Sequence, residues 1–365
     1  MAQIPNIGEL TINPEEVRDL TQMIAQFVYQ DPNYTKFHTT ATGINRKTQI
    51  LLDSTSGLAG WKATGCAAIA SGGMNIKLAE KYWDLVTIED SLEICQSDLD
   101  QNFKALVKKY AKDKFGDLAD QEAINIYVTA KVAQFIKEAH ERLIWLGDKD
   151  ASNVEDGGKV VDTIDPKFFT PLDGIWRQVM DSVTAGTTTS FTNIARNEQA
   201  TKALQEALTD NEAFAIVKGL YDKADNALKL DPTAYIRVTA GIYNGYKNYL
   251  SANTLSGGGL SEITVNGIKQ VAYMGIPVET SLFESKAIMD YFEVSDGGSP
   301  EVKTYDFPHR GIMATPDLLP VATLNEEDIS SIEAFYVQKD RKSIIRFDFD
   351  MDTVVVRPDK VSVAY

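Results

Sequence analysis

The chain has 365 residues, 44% hydrophobic and 24% charged, with 52 Asp and Glu against 36 Lys and Arg and a formal net charge of −16. That length exceeds what one core usually organises, so two or three sub-domains are expected. The composition is that of a folded protein, not a disordered or fibrous one. The acidic balance argues against a protein whose main task is gripping nucleic-acid phosphate, which runs on clustered Lys and Arg. No run of about 18 apolar residues suggests a membrane span, and the opening MAQIPNIGELTINPEE lacks a basic segment followed by an apolar one, so neither secretion by that route nor membrane insertion is expected. Cys66 and Cys95 have no CxxC spacing, which speaks against a disulfide framework or zinc site and for reduced thiols in a cytoplasmic setting.

In chain order, Asn13, Pro14 and Glu16 form a helix start, with an N-cap, a proline at the first helical position and a capping-box glutamate. Val17, Leu20, Ile24, Phe27 and Val28 then recur at helical spacing to about Gln30, where Asp31-Pro32-Asn33 breaks the pattern. This is a terminal arm whose apolar stripe must lie on something. From Gly43 to Cys95 the period changes: Ile50-Leu51-Leu52, a Gly/Ser-rich loop, then Met74, Ile76 and Leu78 alternating with Asn75 and Lys77 predict a long two-stranded excursion. An isolated hairpin is marginal in water and its edges invite pairing, so something outside it, such as a neighbouring subunit, is expected to cover it.

A short helix is predicted over Asp98 to Tyr110. Asp120 then caps the most regular segment, Gln121 to Leu146, with Val128, Val132, Phe135, Ala139 and Leu143 on one stripe and Gly147 as the stop. Its roughly 26 residues make a rod of about 39 Å. From Phe168 to about Leu324 helices alternate with short strands: Thr201 to Leu230 mostly helical, Ala234 to Val238 a strand, Gly241 to Leu250 a helix, Val271 to Met274 another strand, interrupted by loops at Ser256–Gly259 and Asp296–Pro300. The last stretch is β: Ala334 to Val337, Ser343 to Asp350, Thr353 to Val356 and Val361 to Ala364.

Chemical motifs are weak. The acidic stretch after the long helix fails as a calcium loop, because counting from Asp148 puts Asn153 where glycine is needed and Lys159 where the bidentate glutamate belongs. Asp348, Asp350 and Asp352 alternate with Phe347, Phe349 and Met351, as the wet and dry sides of a half-buried strand do; so much like charge calls for a basic neighbour. His38, His140 and His309 show no ligand spacing, and His140 inside the long helix is expected to be structural. There is no GxSxG, and Gly257-Gly258-Gly259 lacks both the P-loop lysine and the dinucleotide spacing. No catalytic residue, cofactor-binding residue or metal ligand is expected.

Several stretches carry a resemblance. They are His38-Thr39-Thr40-Ala41-Thr42-Gly43-Ile44, Leu92-Glu93-Ile94-Cys95-Gln96-Ser97-Asp98-Leu99, Ile144-Trp145-Leu146-Gly147-Asp148-Lys149-Asp150-Ala151, Phe168 through Trp176, Tyr273-Met274-Gly275-Ile276-Pro277-Val278, and Asp340-Arg341-Lys342 with the final strands. In this order they resemble the major capsid protein of tailed bacteriophages, a fold also used by encapsulins and the herpesvirus capsid floor, and are most similar to capsid proteins of phages with Bacteroidetes-type hosts. The resemblance implies an α+β fold with an N-terminal arm (1–40), an extended β loop (41–96), a peripheral domain with a long spine helix (97–167), an α/β axial domain (168–330) and a C-terminal β return to the peripheral domain (331–365).

It further implies self-assembly through pentamers and hexamers into the icosahedral head of a virion, around double-stranded DNA bound without sequence preference. No cofactor, enzymatic activity or membrane partner is implied. Scaffolding, portal and decoration proteins are the expected partners, and the early start of the arm implies a separate or removed scaffolding segment. Expected assembly contacts are Val17, Leu20 and Phe27 on the arm, Ile76, Leu78 and Tyr82 on the extended loop, and the loops near Gly258 and Gly298 toward the capsomer axis. Two rival readings stand beside this one: an encapsulin-like compartment, and a metal-dependent hydrolase using Asp148, Asp150 and Asp156 or the Asp348, Asp350 and Asp352 row.

Overall fold

The structure, a computed structural model, describes residues 32–44, 49–56, 75–95, 134–254, 262–265, 268–324, 331–337 and 342–365. The arm helix, the Asp98–Tyr110 helix, the first part of the long helix and the Gly258 loop lie outside the described residues.

After a helical turn at Pro32–Thr35 come β1 (Thr40–Ala41), β2 (Gln49–Ser56), β3 (Asn75–Tyr82) and β4 (Val86–Cys95). The expected excursion is present: β2 and β3 pair antiparallel from Gln49↔Tyr82 to Ser56↔Asn75, and among the described strands they pair only with each other.

Helix α1 (134–146) follows, ending where Gly147 was predicted to stop it. Its buried face runs through Ile136, Ala139, His140, Leu143 and Ile144. Phe135, placed on the apolar stripe by its spacing, is instead 49% exposed; burial on more than one side of the helix end, through Leu143 to Leu146, rotates the face toward Ile136. The turn after α1 is held by backbone approach. Gly147 N donates to Leu143 O at 3.1 Å, and Gly174 N donates to Gly147 O at 2.9 Å.

Next are α2 (Ile175–Thr184), β5 (Phe191–Thr192), α3 (Lys202–Glu206), α4 (Asp210–Lys223, opened by a Thr209–Glu212 capping box), α5 (Asn226–Leu230), β6 (Tyr235–Val238) and α6 (Ala240–Thr254). Then come β7 (Glu262–Val265), β8 (Ile268–Tyr273), β9 (Ile276–Thr280), α7 (Leu282–Tyr291), β10 (Glu293–Ser295), β11 (Lys303–Tyr305), β12 (Gly311–Ala314), β13 (Val321–Ala322), β14 (Ser331–Val337), β15 (Lys342–Thr353) and β16 (Ser362–Ala364). The strand predicted to include Met274 ends at Tyr273, because Met274 (φ 50) and Gly275 (φ 87) form the tight turn into β9.

Seven strands order β5-β16-β12-β6-β9-β8-β7 into one sheet. Along β6, alternation sends Ile236 and Val238 to one face, against Val217 and Leu220 of α4 and Ile242 and Tyr246 of α6. Tyr235 faces the other way, into a core shared with Ile136, Leu143 and Trp145 of α1, Ile175 and Val179 of α2 and Ile288 of α7. A second sheet orders β1-β13-β15-β14, with β4 also on β15. The predicted break between Asp350 and Thr353 is absent: β15 runs unbroken for 12 residues, since β4 pairs it from Lys342 to Met351 and β13 pairs Asp352 and Thr353. The last three strands divide between the two sheets. β14 and β15 stay in the second sheet, whereas β16 enters the seven-stranded one between β5 and β12.

A Cβ on Gly147 would lie 2.5 Å from Leu172 O, and one on Gly174 would lie 2.7 Å from Gly147 N. Backbone atoms cannot yield as side chains do. Gly147→Ala should therefore cost about 1–3 kcal/mol in denaturant unfolding, the range of overpacked core sites, with Gly174→Ala similar.

Candidate assembly surfaces and their buried joint

The same alternation that buries Ile236 and Val238 carries Arg237 of β6 to the α1 side of the sheet, where it is 3% exposed. Its Nε donates to Glu284 Oε2 of α7 at 2.9 Å and its Nη2 to Glu141 Oε1 of α1 at 3.2 Å. The guanidinium lies 4.1 Å from the Trp145 ring and 4.6 Å from that of Phe37. Glu284 Oε1 accepts from Trp176 Nε1 of α2 at 2.5 Å, and Glu141 accepts from Ser281 Oγ, the N-cap of α7, at 2.7 Å. One cation thus joins the seven-stranded sheet, three helices and the 32–44 segment. A planar, always-charged guanidinium with a forked donor set suits that task better than a lysine.

Two of the three histidines sit beside this joint. His38 Nδ1 lies 2.9 Å from Leu319 O, its ring 5.4 Å from that of Trp145, and His140 stacks on Phe349 at 5.0 Å. Burial holds both at about 3, so both are neutral. His309 Nε2 is 2.8 Å from Gln205 O, and burial lowers it too. All three are packed inside the fold, as expected of His140.

Two acidic candidates of the hydrolase reading, Asp148 and Asp150, are paired internally. Arg177 of α2 reaches Asp148 and Asp150, each at 3.2 Å, and Asp181 at 2.9 Å, while Asp156 is exposed in a turn. In the second row, Asp348 and Asp350 stand on the wet side, and Thr87 Oγ1 donates to Asp350 Oδ1 at 2.5 Å. Asp352 departs from that reading. It is 8% exposed, accepts from Asp84 N and Thr353 N at 2.8 Å each, and is pushed up to about 6 by burial. The basic neighbour at that end is Lys149, 3.6 Å from Asp84. Among the described residues no group of three His, Cys, Asp or Glu is arranged to hold a metal, and no helix is long and apolar enough to cross a membrane.

Of the expected assembly residues, Ile76, Leu78, Tyr82 and Gly298 fall among the described residues. Val17, Leu20, Phe27 and Gly258 lie outside the described residues. Ile76 and Leu78 stand on β3 opposite Thr55 and Asp53. Tyr82, at the base of the hairpin, is 55% exposed, with its hydroxyl donating to Glu80 at 2.8 Å. Gly298 lies in the exposed β10–β11 loop, its N donating to Asp296 Oδ1 at 2.9 Å. The hairpin base is tied down: Trp83 and Leu85 cluster with Ala322 and Val354, and Lys81 Nζ donates to Val355 O at 2.5 Å. Sequence reasoning missed Arg237 and its carboxylates. The one available signal was a cation inside the otherwise apolar strand Tyr-Ile-Arg-Val.

No protein-family model matches the chain, and no curated protein does. Solved structures do. A chain of the satellite phage P4 procapsid that includes the size determination (Sid) protein aligns over 94% of this chain and 97% of its own length, with a TM-score of 0.52 at 9% identity. A Gordonia phage Cozz chain aligns over 94% and 86%, at 0.47 and 10%, and one from the capsid of cyanophage P-SCSP1u over 90% and 86%, at 0.44 and 14%. The fold is that of phage major capsid proteins, a mixed α and β architecture, as the order of sequence stretches implied.

Two measurements probe the joint. Arg237→Met, which strands Glu284 and Glu141, should cost about 3–5 kcal/mol in denaturant unfolding. The second is the pH dependence of stability. His38 and His140 are held at about 3 in the fold against 6.5 in the open chain, so their contribution is complete above pH 6.5 and falls by about 1.4 kcal/mol per unit for each as pH drops. Asp352, raised to about 6 from 3.8, works the other way between those values. The net expectation is a loss of about 1.4 kcal/mol per unit from pH 6 to 4 in acid titrations of the unfolding midpoint. Asp352→Asn should steepen that loss and His140→Gln should flatten it.

Proposed function

We propose that this chain is the major capsid protein of a tailed double-stranded-DNA phage, assembling through pentamers and hexamers into the icosahedral head. The observation that carries this reading is the alignment of nearly the whole of both chains with the P4 procapsid chain. A hairpin that pairs with no other described strand supports it, because in a lattice such an element is a binding surface. Head-to-tail contacts close into rings, and many modest interfaces together hold a shell. The acidic balance suits a wall that must not grip the DNA packed within.

In this reading residues 1–40 are the arm, 41–96 the extended loop, 97–167 the peripheral domain with α1 as the end of its spine helix, 168–330 the axial domain and 331–365 the return. Val17, Leu20, Phe27, Ile76, Leu78, Tyr82, Gly258 and Gly298 are contact residues. Assembly takes place in the host cytoplasm with a scaffolding protein, onto a portal, and the finished shell takes decoration proteins. The kinship to phages of Bacteroidetes-type hosts rests on the sequence stretches alone. The protein has no catalytic role.

Expression of the full chain, alone and with the phage's scaffolding protein, should give rings or closed particles in negative-stain micrographs and in the void volume of a sizing column. A dispersed monomer under both conditions at high concentration would overturn the reading. Tyr82→Ala, at an exposed position, should shift unfolding by under about 1 kcal/mol yet lower the particle yield.

A further inference from the structure

The ribbon of β10 and β11 is fastened unevenly along its length. Its strands pair only with each other among the described strands, in the register Glu293↔Tyr305, Val294↔Thr304 and Ser295↔Lys303. At its root, backbone joins it to the 151–165 segment: Val161 N donates to Tyr291 O at 3.0 Å, and Glu293 N to Lys159 O at 2.8 Å. On the other flank Tyr305 N donates to Gln205 Oε1 at 2.8 Å and Phe307 N to Asn197 Oδ1 at 2.9 Å. A buried pair closes the root, where Arg310 Nη2 donates to Asp306 O at 2.9 Å and Lys159 Nζ to Asp306 Oδ1 at 3.0 Å.

From Val294 to Thr304 the fastening is different. Among the described residues, the hydrogen bonds and ion pairs of this outer part to the rest of the chain pass through Lys303. Its Nζ lies 2.7 Å from Asp162 Oδ2 and 3.3 Å from Glu293 Oε1. The other bonds here are local, from Gly297 N to Ser295 Oγ and from Gly298 N and Val302 N to Asp296 Oδ1. Asp162 is itself held in place by Glu155 N, and Glu293 by Lys202 Nζ of α3 at 2.8 Å. Their hydrogen bond raises the Lys303 ammonium and lowers the Asp162 carboxyl, so both are charged at neutral pH.

Exposure separates the two fastenings. The side chains of Lys303 and Asp162 are 31% and 25% exposed, those of Arg310 and Asp306 only 5% and 6%. Salt screens the first pair strongly and the second little. A two-stranded ribbon is marginal in water by itself, so its outer part depends on the exposed pair.

We propose that β10 and β11 form an ion-latched flap: the pairing of Lys303 with Asp162 closes it against the 151–165 segment, and rising ionic strength opens its outer part about the buried root. The latch stands apart from the capsid reading, and under that reading it fixes the direction in which the exposed Gly298 tip is offered.

The test is hydrogen–deuterium exchange of the full chain near neutral pH, in about 0.1 M and about 1 M salt, between which the screening length falls from about 10 to about 3 Å. In the unaltered chain the higher salt should speed exchange over residues 293–305 about threefold and leave β6 and β12 unchanged. Lys303→Met should exchange at the faster rate already in low salt and show no further salt response. Asp162→Asn, a milder change at the other end of the pair, should do the same and covers the case in which the first variant fails to fold. Lys303→Arg, which keeps the charge, should retain the response of the unaltered chain. Equal salt responses in the unaltered chain and the folded Met and Asn variants would overturn the inference. So would a rise that extends to β6 and β12, because it reports a weaker fold and not an open flap. None of these outcomes bears on whether the chain assembles.

Discussion

A charge buried where the seven-stranded sheet, three helices and the 32–44 segment meet constrains the rest of this molecule. Arg237 carries a guanidinium into a nearly dry site, where it must be faced by carboxylates and aromatic rings. Glu284 and Glu141 supply the first, Phe37 and Trp145 the second. These partners lie on α1, α7 and the 32–44 segment, so the requirement to satisfy one guanidinium fixes how α1 and α7 lie on the seven-stranded sheet. The buried histidines add a second constraint on the same side, since burial favours the uncharged form of His38 and His140.

This inner rigidity sets off the outer surfaces. The sheets and helices bury three hydrophobic clusters, yet β2 and β3 pair only with each other among the described strands, anchored at their base by Trp83, Leu85 and Lys81. A firm body with an anchored hairpin that pairs with no other described strand suits the proposed capsid role. Under that proposal the hairpin is an edge for another copy to complete.

Much of the architecture was legible because it is periodic. Alternation over Met74 to Leu78 located the hairpin strand, the spacing to Leu143 with Gly147 behind it located the end of α1, and the apolar run at Ala234 to Val238 located the central strand. Other features were misread, each for a physical reason. Phe135 has helical spacing but faces solvent, because the neighbours that decide burial come from distant strands. Asp352 continues an alternating polar row, yet it is drawn inside by the backbone N–H of Asp84, a residue 268 positions away in sequence. The break expected after Asp350 is bridged by β4 and β13, which hold β15 extended on both sides.

By itself the sequence determined the class of fold, the order of its parts, the absence of any persuasive catalytic motif and the sign of the charge, because local periodicity, turn residues and composition are properties of neighbouring positions. Only the tertiary structure decided that Arg237 is a joint, that Arg177 pairs with the acidic turn after α1, and that the last strand crosses into the seven-stranded sheet. Those depend on which remote segments come within a few ångströms of one another, and nothing in the spacing of neighbouring residues encodes that distance.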